Sequence, residues 1–334
     1  MSGVIQVGII GTGTMAEIYA SIIEARADCK LVAVVGNSKS RTASFSEKFN
    51  VAGYADGDYG SLYQNHPEIS TTIISTPEWV RLEPVKFAVL NSQHIILEKP
   101  FANNIKEASS LKELLINHNK VVEVCHVLRY SARFYAMKKA IDNGEIGEVR
   151  HMYARRNSNL QRVRRVLGHT DLAFWLTPHD IDIMGWLTGS HVSEVFARSL
   201  NGLKSEDDYL IANLRFKNGV DAVLENSWCT PKISGSAPEA SFEVWGTKGS
   251  ILLKDYDMNI KIFNQNEMVT TPDTYEDYEL YGFRNGFFQS MINHFIKKIV
   301  LSDISKTSIN DGVETIKVCE MIRNSIDTST LIVR

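Results

Sequence analysis

Residues 4–16 read VIQVGIIGTGTMA, and the fold turns on them. Val4–Ile10 is short, apolar and rich in β-branched side chains, the composition of a strand covered on both faces. Gly11-Thr12-Gly13-Thr14-Met15-Ala16 follows as GxGxxA and runs into a helical stripe of Met15, Ile18, Tyr19, Ile22 and Ile23. In that setting the first glycine permits a tight turn, the second lets a pyrophosphate approach the backbone, and Ala16 allows close helix–strand packing. The phosphates would sit on the open N–H groups at the helix start, where the dipole favours negative charge. A merely structural glycine turn would carry the same letters, but its place between strand and helix favours a dinucleotide. Gly11, Thr12, Gly13, Thr14 and Met15 are therefore candidate cofactor contacts.

Strand-like runs recur at Leu31–Val35, Thr71–Ser75, Ile95–Leu97 and Val121–Cys125, with helical stripes at Phe87, Ala88, Leu90 and at Ile105, Ala108, Leu111, Leu115. This alternation predicts an α/β, doubly wound, Rossmann-type parallel sheet over residues 1–122. The rhythm then changes. A helix over Ala132–Asn143 is followed by strands at Val149–Ala154, Val192–Arg198, Asp208–Phe216, Asp221–Ser227, Ala240–Trp245 and Ser250–Leu253, several joined by hairpin-type turns. A last helix covers Gly312–Ile326. Residues 123–334 are thus expected to form one α+β domain.

The chain has 334 residues, room for two domains at about 150 residues each. Thirty-six basic against thirty-nine acidic side chains leave a net charge of −3, which gives no electrostatic case for nucleic acid. Cys29, Cys125, Cys229 and Cys319 are scattered, arguing against a zinc site or a disulfide framework and suiting a reducing compartment. No apolar run reaches the ~18 residues of a membrane span. Val4–Ile10 lacks a basic leader and reads as a strand rather than a signal peptide. The expectation is a soluble, cytoplasmic protein that handles small molecules, with no metal and no membrane or nucleic-acid partner.

At the end of the second strand, NAD-binding folds usually place an acid for the ribose 2′-hydroxyl. Here Gly36 stands there, followed by Asn37-Ser38-Lys39-Ser40-Arg41. Two readings are open: Ser38 caps the next helix and Arg41 is solvated, or Asn37, Ser38 and Arg41 hold a 2′-phosphate. Charge-assisted hydrogen bonds of ~1.5–3 kcal/mol correspond to a ten- to hundredfold preference. NADP(H) is expected, with NAD(H) as the alternative.

Glu98-Lys99-Pro100 ends the fourth of these strands, on the side where ligands bind open α/β sheets. Together with the GxGxxA turn, Arg129-Tyr-Ser-Ala-Arg-Phe134, Asn143-Gly-Glu-Ile-Gly147, His179-Asp-Ile-Asp182, Gly185-Trp-Leu-Thr-Gly189, Trp245-Gly-Thr-Lys-Gly249 and Asp311-Gly-Val-Glu-Thr315, it resembles the Gfo/Idh/MocA oxidoreductases over nearly the whole chain.

The resemblance implies an open, largely antiparallel sheet in the second domain, often a homodimer or homotetramer contact. It also implies NAD(P)-linked oxidation or reduction of sugars, cyclitols or related polyols. Lys99 matches the family's lysine on the reacting oxygen and His179 its proton relay, so both are expected to be catalytic. A cation suits developing alkoxide charge, and an imidazole titrates near working pH. Glu98 and Lys99, with Thr76 and Pro77 from the family's Thr-Pro turn, join the expected cofactor contacts. A cis Lys99–Pro100 peptide is often found in relatives.

The pattern breaks in two places. Many relatives carry an aspartate four residues before the histidine, where this chain has Trp175. Four readings stay open: Asp171, Asp180 or Asp182 orients the imidazole instead, Lys99 carries more of the proton transfer, the substrate supplies the group, or the active site has drifted. After the Thr-Pro pair, Trp79 and Arg81 replace the usual histidines. They could wall the cofactor crevice and meet an anion, or simply cover the next helix. Arg155, Arg156, Arg162, Arg164 and Arg165 crowd one stretch. They read either as a solvated or subunit-contacting loop, or as forks for a carboxylate or phosphate on an anionic sugar. Arg129, Arg155, Asn157, Trp175 and Asp182 are the expected substrate-side residues. Two other functions stay open: a lyase or glycosidase that retains its cofactor and uses transient oxidation, and a non-catalytic NADP(H)-binding sensor.

Overall fold

The computed structural model describes residues 3–159, 168–203, 208–230, 239–254, 262–263, 269–270, 277–303 and 307–334. It divides into two compact units, residues 1–127 with 279–313, and residues 128–278 with 314–334. The first unit runs on to Val127, and a later segment, residues 279–313, returns to it. Side chains explain the return. Helix Phe287–Leu301 places Lys298 against Glu123 at 2.9 Å, both buried, and sets Phe288 edge-on to Tyr19 at 5.9 Å. Neither contact is local in sequence, so no periodicity could announce it.

The first unit is built on β1 (Ile5–Ile10), β2 (Cys29–Val35), β3 (Ala52–Tyr54), β4 (Thr71–Ile74), β5 (His94–Leu97) and β6 (Val122–Val124). All pairings are parallel, in the order β3-β2-β1-β4-β5-β6. Helices α1 (Thr14–Glu24), α2 (Lys39–Phe49), α3 (Tyr59–Asn65), α4 (Leu82–Leu90) and α5 (Ile105–Ile116) connect them. The core is aliphatic, with Val7, Ile9, Ile10, Ile73, Ile74, Ile96 and Leu97 at 1% exposure or less. The strand order reverses between β1 and β4, and there the chain leaves the carboxyl ends toward opposite sides of the sheet.

The second unit carries α6 (Ala132–Asp142) and a sheet of β7 (Val149–Asn159), β8 (Val192–Ser199), β9 (Tyr209–Phe216), β10 (Asp221–Thr230), β11 (Glu239–Gly246) and β12 (Ser250–Lys254). The order is β12-β11-β7-β10-β9-β8, extended at the β8 edge by Ile332–Val333, and only β7–β10 is parallel. β9 alternates strictly: Leu210, Ala212, Leu214 and Phe216 are buried, while Tyr209, Ile211, Asn213 and Arg215 are exposed. One sheet face packs under the helices; on the other, among the described residues, Tyr209, Ile211, Trp245 and Leu252 are exposed.

Candidate functional site

In the first unit, the carboxyl ends of β1, β4 and β5 are stitched together one residue past each strand. Ser75 N–H donates to Ile10 O at 2.8 Å, and Glu98 N–H to Ile74 O at 3.0 Å. Gly11 sits at φ +125°, and a Cβ there would lie 2.5 Å from Ser75 Oγ. Only glycine serves, for conformation and for space together. Gly13 is the N-cap of α1, with no side-chain cap, and a Cβ placed on it would meet nothing within 4 Å. The first-turn N–H groups of α1 therefore lie behind a residue without a side chain, open to an anionic group. Thr12 and Met15 are half-buried and Thr14 is exposed. A dinucleotide phosphate fits this turn.

Gly36 follows from packing. A Cβ there would stand 2.4 Å from Thr42 Oγ1 and 2.7 Å from Thr12 Cγ2, so the end of β2 has no room for an acid. Ser38 does cap α2, its hydroxyl accepting from Arg41 N–H at 3.5 Å, and the Arg41 side chain is exposed, as is Asn37. Lys39 pairs with Asp56 of the β3–α3 turn at 3.3 Å. Sequence reasoning missed this acid, because it reaches the end of β2 from another loop.

The turn after β5 is buried from Ile95 to Ala102 except at Lys99, and the Lys99–Pro100 peptide is cis. Glu98, expected among the cofactor contacts, turns its side chain into the fold. Its carboxylate points inward, with Oε1 accepting from Tyr19 Oη–H and Oε2 from Lys99 N–H at 3.0 Å. Burial pushes that carboxyl up from its ordinary range, against the pull of the Tyr19 hydroxyl and the Lys99 and Arg81 cations. Arg81 is likewise turned inward. It is 1% exposed and donates to the carbonyls of Thr76 (2.8 Å), Pro100 (3.0 Å) and Glu98, so it is not aimed at an outside anion. Thr76 Oγ1 donates to Val80 O at 2.9 Å, and Pro77 caps the short turn Glu78–Val80 that carries the half-exposed Trp79.

In the second unit, Leu172–Trp175 and Thr177–Thr188 form two helical pieces in close succession. Every residue from Asp171 to Met184 is buried except Trp175 and His179, four apart and on one helical side. The Trp175 ring meets Trp228 edge-on at 6.0 Å, and Trp228 is wholly buried.

The three carboxylates proposed as orienters are each gripped by a guanidinium. Asp171 caps Phe174 N–H and takes Arg323 Nε–H at 2.7 Å. Asp180 takes Arg156 through Nε (3.0 Å) and Nη2 (2.9 Å), and Asn226 Nδ2 at 3.3 Å; Thr177 Oγ1 in turn donates to Asn226 at 2.7 Å. Asp182 takes Arg129 through Nε (2.9 Å) and Nη2 (2.7 Å). Arg129 and Asp182 are therefore partners of one another.

Arg155 and Asn157 alternate with Arg156 along β7 and leave the strand on the other side of the sheet. Asn157 Oδ1 accepts from Ser227 there at 2.9 Å. Arg162, Arg164 and Arg165 lie outside the described residues. Among the described residues no group of three or more His, Cys, Asp or Glu is arranged to hold a metal, and no helix is long and apolar enough to cross a membrane.

Two family models match the chain. The "oxidoreductase family, NAD-binding Rossmann fold" covers residues 5–126, and the "GFO/IDH/MocA C-terminal domain" covers residues 134–252. The chain belongs to the Gfo/Idh/MocA oxidoreductases. It is an oxidoreductase of the NAD-binding Rossmann kind, and the family boundary agrees with the break after Val127.

Among relatives, a myo-inositol 2-dehydrogenase of Thermotoga maritima is 23% identical over 314 residues, 92% of each chain. A 2,7-anhydro-N-acetylneuraminate hydratase of Mediterraneibacter gnavus is 25% identical over 260 residues, 73% of this chain and 65% of that one. The solved scyllo-inositol dehydrogenase of Lactobacillus casei, with NAD(H) and scyllo-inositol bound, superposes with a TM-score of 0.80 at 18% identity, covering 98% of both chains.

Proposed function

We propose that this protein moves a hydride between a nicotinamide dinucleotide and a carbinol or ketone carbon of a sugar, sugar derivative or cyclitol. The observation that carries the reading is selective presentation. In a buried turn at the carboxyl end of β5 only Lys99 emerges, and in the buried stretch 171–184 only Trp175 and His179 emerge. The inositol dehydrogenases among its relatives support the substrate class.

Each residue has a role that its chemistry suits. Lys99 binds the reacting oxygen and stabilises alkoxide charge as the hydroxyl proton departs. His179 takes that proton in oxidation and returns it in reduction. Trp175 offers no carboxylate and instead presents an apolar ring surface to the substrate. A nicotinamide dinucleotide bound at the Gly11–Met15 turn would supply the hydride acceptor for oxidation and the donor for reduction. The Gly11–Met15 turn holds the pyrophosphate, and Thr76 and Pro77 line the nicotinamide side.

At the adenosine end, Ser38 and Arg41 favour a 2′-phosphate, so NADP(H) is the preferred form. The exposed Arg41 side chain beside the α2 N-cap supports this, while Asp56 on Lys39 leaves Arg41 as the main cation. The open sheet face, with Tyr209 and Ile211 on β9, Trp245 on β11 and Leu252 on β12 exposed, supports a homodimer or homotetramer. The buried free thiols of Cys29, Cys125 and Cys319 suit a cytoplasmic setting.

The test is nicotinamide absorbance over a panel of polyols and keto-sugars, with Lys99→Met and His179→Asn alongside. Turnover that is lost in both variants, while cofactor binding persists, supports the assignment; turnover that survives in both overturns it. The relative named as a hydratase keeps a second reading in view, in which the cofactor cycles without net reduction. Product formation with no net absorbance change would favour it.

A further inference from the structure

We infer that Arg81 is a positioning residue for Lys99: its buried guanidinium fixes the peptide on either side of the lysine and ties that turn to the loop after β4. The inference rests on the reading of Lys99 given above and adds to it the device that aims the side chain. Arg81 Nη1 donates to both Glu98 O and Pro100 O, the carbonyls that flank Lys99, while Nη2 donates to Thr76 O. The Lys99 N–H is held separately, by the carboxylate of Glu98. Backbone polar groups before, at and after Lys99 thus end on one buried cation or one buried anion.

The choice of side chain is informative. A planar fork can serve carbonyls on two separate loops at once, which a point-like ammonium cannot match. Burial works against the Arg81 charge, and the carboxylates of Glu78 and Glu98 work for it. Its Nε has no hydrogen-bond partner, so the site is not organised to satisfy the whole guanidinium. It is organised around the two Nη atoms and the carbonyls they reach. A side chain that merely filled the space between β4 and β5 would need neither the charge nor this fork. Aim matters, because a catalytic group displaced by about 1 Å can lose about a hundredfold in rate.

The experiment compares Arg81→Lys and Arg81→Gln with wild type and Lys99→Met in the full chain. It measures thermal midpoint, dinucleotide affinity by protein fluorescence, kcat and KM on the best substrate, the pH profile of kcat, and the rate of Lys99 reductive methylation by mass spectrometry.

The expected result is a folded Arg81→Lys protein that binds dinucleotide, with kcat down about a hundredfold and KM little changed. A displaced pH profile and an altered Lys99 methylation rate should accompany it, with Arg81→Gln equally or more affected. Should Arg81→Gln fail to fold, Arg81→Lys alone decides. Wild-type kcat, pH profile and Lys99 reactivity in the folded Arg81 variants, with turnover abolished by Lys99→Met, would overturn the positioning role and leave the Lys99 assignment standing. Turnover that survives Lys99→Met would overturn the Lys99 assignment itself.

Discussion

Arg156 grips the Asp180 carboxylate through two nitrogens, at 2.9 and 3.0 Å, one residue along the chain from His179. Both partners are buried, so the pair joins β7 to the start of helix Thr177–Thr188 rather than facing an outside anion. Arg156 was one of five arginines that suggested an anionic substrate, and its fork is taken up within the fold. Removing one partner of a buried pair leaves an uncompensated charge, at about 3–5 kcal/mol. Arg156→Met should therefore lower the urea midpoint strongly, and Arg156→Met with Asp180→Leu should recover much of the loss. A double variant no more stable than the single would contradict this account of the pair.

Arg41 reports on the cofactor. Arg41→Ala should weaken NADP(H) binding about ten- to hundredfold, from the loss of a charge-assisted contact. NAD(H) binding should not change. Titration calorimetry with both dinucleotides checks it, and equal effects on the two would remove the case for a 2′-phosphate site.

Trp175 offers no carboxylate, so its contribution should appear in binding more than in proton transfer. Trp175→Ala should raise KM about tenfold, in keeping with the ~1.5–3 kcal/mol of a covered large side chain, with a smaller effect on kcat. Steady-state kinetics separates the two. A collapse of kcat at unchanged KM would place Trp175 in the chemistry instead.

His94, at the start of β5, gives the fold an acid limit. Desolvation, helped by the Lys120 and His118 charges, lowers its pKa to about 4, and its Nδ1 accepts from Val121 N–H at 3.1 Å. An unfolded histidine takes up a proton near pH 6.5, about its unperturbed value. The contribution is therefore whole above about 6.5 and is lost as pH falls toward about 4. His94→Asn, which keeps an acceptor near Val121 N–H, should flatten the thermal midpoint across that window. An unchanged slope would assign the acid sensitivity elsewhere.

The open face of the second sheet sets neighbours in register. Leu252, Glu243, Tyr153, Val223, Asn213 and Phe196 form one row across six strands, with Ile211 beside it. Ile211→Glu with Val223→Glu should reduce the sedimenting mass to that of a single chain while leaving the thermal midpoint of the monomer intact. An unchanged mass would put the contact on another surface.

Much of this was legible in the amino-acid order, for physical reasons. β1, β2, β4 and β5 appeared within two residues because strands covered on both faces are continuous apolar runs. Lys99 and His179 were singled out by motifs that resemble the family's, since on spacing alone the one reads as a surface turn and the other as a helix-start histidine. What could not be read were directions and distant partners. Glu98 and Lys99 are adjacent letters, yet one turns inward to Tyr19 and the other outward. For Arg81 two readings stayed open, because nothing local reveals that three carbonyls from two loops converge on it. Helix Phe287–Leu301 was tied to the first unit by Lys298 and Glu123, 175 positions apart.

The most direct test of the central claim follows a label. A substrate deuterated at the carbinol carbon is incubated with the protein and oxidised dinucleotide, and the reduced dinucleotide is isolated and read by mass spectrometry and NMR. The account predicts one deuterium at nicotinamide C4, a primary isotope effect on turnover, and loss of transfer in Lys99→Met and His179→Asn. Product formed with the deuterium lost to solvent, or with transfer undiminished in both variants, would contradict it.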